Sequence, residues 1–195
     1  MTLSTSADLL KVVGFDPSLR NWGAVKGTLI GDLFVVSDLS AIQPVLDEGK
    51  RVRQSSLDLQ SATQLAEAAF QWAEDADVVF VEVPIGSQSA RAMASYGICI
   101  GVLGALRAKG IPFIELNPTE VKVAATGNKT ATKHEMITWA VNEHPEANWP
   151  TFNRGGKALI SEAKAEHMAD AIAAVHAGLR NQQFQQLSKF LKRNQ

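Results

Sequence analysis

The stretch Val78-Val79-Phe80-Val81-Glu82-Val83-Pro84 constrains this chain more than any other. A short, continuously apolar run of this kind is the pattern of a central parallel strand covered on both faces. An earlier run, Val12-Val13-Gly14-Phe15, likewise ends on an acid, Asp16, directly before Pro17. In an open α/β sheet, the ends of adjacent strands border the crevice where ligands gather, and a short turn leaves the last side chain pointing into it. Asp16 and Glu82 fit that placement. Further along, His167 and Asp170 stand three residues apart in an alanine-rich helical stretch. Uncompensated carboxylates at the ends of buried elements are costly, so three hard oxygen donors and an imidazole suggest a divalent-metal site, as in a metal-dependent nuclease. Each residue also has a plain reading. Asp16-Pro17-Ser18 suits a turn, Glu82 a strand end reaching solvent, and His167 and Asp170 an exposed helix face.

A length of 195 residues favours one domain, read as 11–181 between a flexible N-terminus at 1–10 and a polar, basic C-terminal tail at 182–195. The net charge of -1 gives no global nucleic-acid signature, so attraction to phosphate must come from a local patch. Cys99 is the single cysteine; among Ile98, Ile100 and Gly101 it reads as a small core residue, compatible with a reducing compartment. Met1 to Asp8 lacks a basic leader and no long uncharged apolar run follows, so a soluble cytoplasmic protein with no membrane partner is expected.

Strands are expected at Lys11 to Asp16, Trp22 to Ile30 and Leu33 to Leu39, the last two joined by a Gly31-Asp32 hairpin turn. After a polar stretch from Gln43 to Ser56, helical spacing runs from Leu57 to Asp75. The strand at Val78 to Val83 then precedes a small-residue helix from Ser89 to Lys109, a fifth strand at Ile111 to Leu116 and a helix opening at Asn117-Pro118. Thr126-Gly127-Asn128 breaks that helix, and another covers Thr132 to Glu143. His144 to Lys157 reads as a loop, and the last helix spans Ser161 to Asn181. This order gives a mixed five-stranded α/β sheet with helices on both faces. Ala94, Gly97, Gly101, Gly104, Ala105 and Ala108 lie close to one helical side, suited to sheet packing or to a two-fold interface. In the last helix Met168, Ile172, Val175 and Leu179 form one apolar stripe and Asp170 shares its side with alanines, so periodicity does not say which side meets the sheet. His134, His144 and His176 read as surface or packing residues.

Four segments together resemble RuvC-type Holliday junction resolvases, which have a ribonuclease H-like fold. Val13-Gly14-Phe15-Asp16-Pro17-Ser18-Leu19-Arg20-Asn21-Trp22-Gly23 is similar to the family's first strand. Glu82, with Ala90, Gly97 and Gly101, resembles its second acidic strand and following helix. Val121 to Lys133 resembles its basic helix and loop, and His167-Met168-Ala169-Asp170-Ala171-Ile172-Ala173 its terminal helix. The likeness covers nearly the whole chain and leaves open a viral member as well as a bacterial one. It implies a homodimer that nicks opposing strands of four-way DNA junctions with Mg²⁺ or Mn²⁺, two ions per site. Asp16 would bridge them, Glu82 and Asp170 would be further ligands, and His167 a ligand or water-orienting group; imidazole favours Mn²⁺ somewhat.

The same resemblance marks Lys122 and Lys133 as phosphate contacts, with Lys129 adding nearby charge; Arg91, Arg107, Arg154, Lys157 and Lys164 could extend the patch. Ile85 stands where the family often carries an aromatic wedge, so only an apolar wedge is available. The loop from Glu143 to Lys157 is longer than the family's, and its Trp149, Phe152 and Arg154 suit either stacking on unpaired bases or pinning the loop to the core. Rival readings are a nuclease acting on RNA-DNA hybrids or other branched DNA, an actin-like nucleotide-binding fold, and a non-catalytic junction binder. Thr126 to Thr130 lacks the full phosphate-loop pattern.

Overall fold

A computed structural model describes residues 9–47 and 52–193, with side chains described up to residue 189. The expected flexible segment up to Asp8, part of the polar stretch after Gln43 and the end of the basic tail lie outside them.

Three antiparallel strands open the sheet: β1 (Leu9–Asp16), β2 (Trp22–Ile30) and β3 (Leu33–Ile42). Gly31, at φ 64°, supplies the left-handed turn between β2 and β3 that a side-chain-bearing residue resists. Helix α1 (Gln54–Ala73) follows, beginning three residues before the apolar periodicity that marks it in the sequence. Strand β4 (Val78–Glu82) pairs parallel with β1, and after α2 (Ala90–Ala108) strand β5 (Phe113–Leu116) pairs parallel with β4. The sheet order is β3-β2-β1-β4-β5. As expected, β4 is internal and its first four residues are fully covered.

Alternation along the strands sorts the core into two layers. Val13, Phe15, Val79 and Val81 face α1 and α2, meeting Leu65, Ala69, Cys99 and Leu106. Val12, Val78 and Phe80 face the other way, toward α3 (Pro118–Thr126), α4 (Lys133–Glu143) and α5 (Glu162–Arg180). Asp16 and Glu82 share the parity of this second set, so both carboxylates belong to the face that α5 covers.

Helix α5 is the centre of that layer, buried along most of its length. Glycines let it sit close. A Cβ on Gly14 would strike the Ala171 carbonyl, one on Gly23 the backbone of His167, and one on Gly178 the ring of Phe80. At its far end, His176 Nε2 and His144 Nε2 are 2.9 Å apart inside an aromatic set of Phe34 and Trp139. Burial, with His144 and Arg180 adding, pushes the His176 imidazole down to about 4. These two histidines are packing residues, while His134 sits at the surface 3.2 Å from Glu162.

Two elements depart from the sequence reading. The expected loop from His144 to Lys157 contains β6 (Thr151–Arg154), which pairs antiparallel with β7 (Lys157–Ile160) through Gly155-Gly156. Its strands are exposed, so no burial alternation announces them in the sequence. Beyond Arg180 the polar tail forms α6 (Gln182–Arg193), held by Phe184, which packs edge-on against Phe80 at 5.1 Å.

Candidate functional site

Parallel pairing of β1 with β4 puts Phe15 opposite Val81, so Asp16 and Glu82 end neighbouring strands side by side. Helix α5 completes the group. Because Gly23, the partner of Asp16 across β1 and β2, has no side chain, the His167 turn of α5 lies directly on the strand. His167 Nδ1 then donates to Asp16 Oδ2 across 2.6 Å. Burial by itself would lower the His167 pKa, but that hydrogen bond and the charges of Asp16, Glu166 and Asp170 outweigh it and raise the imidazole above its usual value.

Glu82 and Asp170 feel the same crowding. Burial, followed by the charges of Asp16 and Asp170, pushes the Glu82 carboxyl up to about 8. Burial and the Asp16 charge push Asp170 up to about 7, while His167 pulls the other way. Lys122, on the facing α3, lowers both carboxyls and so stands within electrostatic reach of each. Asp16, Glu82, Asp170 and His167 are thus one electrostatic unit at the ends of two parallel strands. Among the described residues no three His, Cys, Asp or Glu side chains are already closed around a point that could hold a metal ion. The donor chemistry nonetheless fits a hard divalent cation, because carboxylates that oppose one another's ionisation lose that penalty beside a positive charge.

The capped segment between α3 and α4 carries the basic residues. Asn117 with Glu120, and Thr132 with Glu135, form reciprocal capping boxes, and Gly127 closes α3 in the left-handed region at φ 73°. Lys129 is exposed in this turn. Lys133 reaches back to Glu166 at 2.6 Å, and Arg91 grips Asp58 through two 2.7 Å bonds that tie α2 to α1. Both cations therefore already have carboxylate partners. Arg107 is paired too, with Glu115 at 2.7 Å. Ile85 is 74% exposed in the segment after β4.

Sequence reasoning passed over Glu166, which raises the pKa of His167 and Asp170 and holds Lys133. Its signal was present: an acid next to His167 in the same helix. The stripe of Gly97, Gly101 and Gly104 does not pack on the sheet, since a Cβ at any of the three would meet open space. A separate open depression of about 620 Å³ lies between Arg107, Glu115 and Arg180 and shares no residue with the acidic group.

Solved structures share this fold. Thermus thermophilus RuvC in complex with Holliday junction substrate matches with a TM-score of 0.60 at 16% identity, over 88% of this chain and 96% of that one. A second Thermus thermophilus RuvC structure matches at 0.57 and 17%, over 86% and 94%. No protein-family model matches the chain, and no curated protein matches it by sequence. At these identities the likeness defines the fold: the mixed five-stranded sheet with helices on both faces is ribonuclease H-like.

Proposed function

We propose that the protein is a metal-dependent endonuclease that nicks opposing strands of four-way DNA junctions. The observation that carries this reading is the electrostatic unit of Asp16, Glu82 and Asp170 with His167, set at the ends of the two parallel strands of a RuvC-like fold. Asp16, Glu82 and Asp170 would hold Mg²⁺ or Mn²⁺, with His167 as a further ligand or a water-orienting group. When bound, a divalent pair supplies a nucleophilic water and charge for the leaving oxygen. The chain's own groups do the rest. Asp16 fixes the imidazole through Nδ1, leaving Nε2 free to hold a water or an ion. Lys122, close to two of the carboxylates, brings positive charge to a phosphate at the crevice, and Lys129 extends that charge outward. Lys133 and Arg91 would contact phosphate only by leaving Glu166 and Asp58. Ile85, exposed beyond Glu82, suits an apolar wedge against an opened base pair. Paired incisions need two sites at fixed separation, and the open glycine face of α2 suits a two-fold contact between copies.

The test is to map cuts on a four-way junction, a fork, an RNA-DNA hybrid and a linear duplex, each with Mg²⁺, Mn²⁺ or chelator. Symmetric nicks confined to the junction and dependent on the cation are expected. Cleavage of the hybrid alone would favour a ribonuclease H-type activity, and cleavage in chelator would remove the metal reading.

A further inference from the structure

The β6–β7 ribbon has no evident structural job. Its strands pair with each other and pack substantially on no other element. Seven of its eight strand residues are exposed, and an isolated two-stranded ribbon is only marginally stable. Yet its root is firmly tied. Trp149 Nε1 donates to the His144 carbonyl at 2.9 Å, Asn148 Nδ2 to the Leu39 carbonyl at 2.8 Å, and Ser161 N to the Pro150 carbonyl at 2.8 Å. Of the two roles open to the aromatics in this segment, Trp149 takes the pinning one. Phe152, 45% exposed, does not.

Registry makes the exposed ribbon two-faced. Phe152 pairs with Leu159 and Arg154 with Lys157, and side chains two apart on a strand share a face, so all four project from the same side. That side carries an aromatic ring, an aliphatic chain and two cations. No acid occurs between Glu146 and Glu162, and neither Arg154 nor Lys157 has an ion-pair partner among the described residues. By contrast, Arg91, Arg107 and Lys133 are all paired with carboxylates. Gly155 and Gly156, at φ 59° and 76°, make the tight turn that holds the two cations together at the tip.

Position supplies the occupant. Ile160 leads through Ser161 straight into α5, and His167 lies five residues beyond Glu162, about 7.5 Å along the helix axis at the usual helical rise per residue. The Leu39 anchor lies near the end of β3, on the same side of the sheet as Asp16. We infer that the β6–β7 ribbon is a second DNA-contacting element, laid along the nucleic acid that enters the acidic crevice: Arg154 and Lys157 hold backbone phosphates and Phe152 with Leu159 rests on sugar or base edges. This rests on the nuclease reading and extends its footprint beyond Lys122 and Lys129.

The test measures binding of the full chain to a labelled four-way junction in Ca²⁺ or chelator across a salt series, for the parent, Arg154→Ala/Lys157→Ala, and Phe152→Ser. Loss of two phosphate contacts should reduce the slope of log affinity against log salt by about two, and weaken binding on the order of tenfold per contact near ~0.1 M salt. Phe152→Ser should weaken binding with the slope unchanged. Thermal melts of the variants should match the parent, since Phe152, Arg154 and Lys157 are all exposed. An unchanged slope in the double variant overturns the inference, as does a change in sedimentation mass, which would make the ribbon a contact between copies. A parent that binds junctions but never cuts them sinks the nuclease reading while the slopes still decide the ribbon. A parent that binds no DNA sinks both.

Discussion

The two ends of α5 solve opposite problems with the same device. At both ends a glycine removes the side chain that would hold helix and sheet apart, Gly23 under His167 and Gly178 against Phe80. What the closeness is used for differs. Near Gly178 it buries Phe80 and Phe184 against each other and sets His176 in an aromatic cage with His144, where neutral groups are content. Near Gly23 it forces Asp16, Glu82 and Asp170 into one partly dry space where they resist joint ionisation. One end is arranged for stability, the other carries electrostatic strain, and such strain at a crevice is characteristic of sites rather than cores.

The largest effect expected from this contrast is in Asp170→Asn. If the proposed nuclease reading holds, losing one carboxylate of the group should cut junction cleavage on the order of 10³-fold or more, the scale of several kcal/mol of transition-state stabilisation. The same variant should melt no lower than the parent at pH 8, since a repelled charge has gone. A melting temperature several degrees lower would show that Asp170 is structural.

Next come the glycines. Gly23→Ala and Gly178→Ala should each destabilise by about 1–3 kcal/mol or more through overpacking, read by denaturant titration. Only Gly23→Ala displaces the His167 turn, so only it should lower cleavage per folded molecule. Equal activity losses in the two variants would erase the distinction between the ends.

The smallest effects are in pH, and they have opposite signs. Folding raises the pKa of Glu82 and Asp170, so their stabilising contribution is full below the ordinary carboxylate range and fades as pH rises through about 7 to 8, by at most ~1.4 kcal/mol per group per pH unit. Melts in chelator should therefore fall between pH 6 and 8, and Mg²⁺ or Mn²⁺ should recover the loss at pH 8. For His176 the folded pKa is depressed, so the unfolded chain binds the extra proton and stability drops as pH falls from about 6.5 toward about 4. His176→Gln should flatten that acid limb and leave the alkaline one untouched. If it altered the alkaline limb, the two ends would be coupled rather than separate.

Much of this was legible in the chain. The runs ending at Asp16 and Glu82 marked two strand ends, and the parallel pairing that sets them together follows from the order of strands and helices. Which face of α5 meets the sheet was not legible, because alanines and apolar residues surround the helix. It was decided by Gly14, Gly23 and Gly178, whose role appears only when the opposing backbone is known. The β6–β7 ribbon escaped because four-residue strands exposed on both sides carry no alternation, although Gly155-Gly156 between Arg154 and Lys157 was a usable turn signal. In α6 the glutamines masked a helix whose anchor is a single ring, Phe184. The carboxylate partners of Lys133 and Arg91 are long-range and leave no local trace.

The bond between Asp16 and His167 joins positions 151 residues apart. Asp16 is translated with the first strand of the sheet, whereas His167 and Asp170 follow only after all five of its strands have been made. A nascent or prematurely terminated copy thus carries its first acid without the helix that completes the set. Synthesis order acts as a safety catch: whatever chemistry the crevice performs must wait until α5 has been made and packed on the sheet.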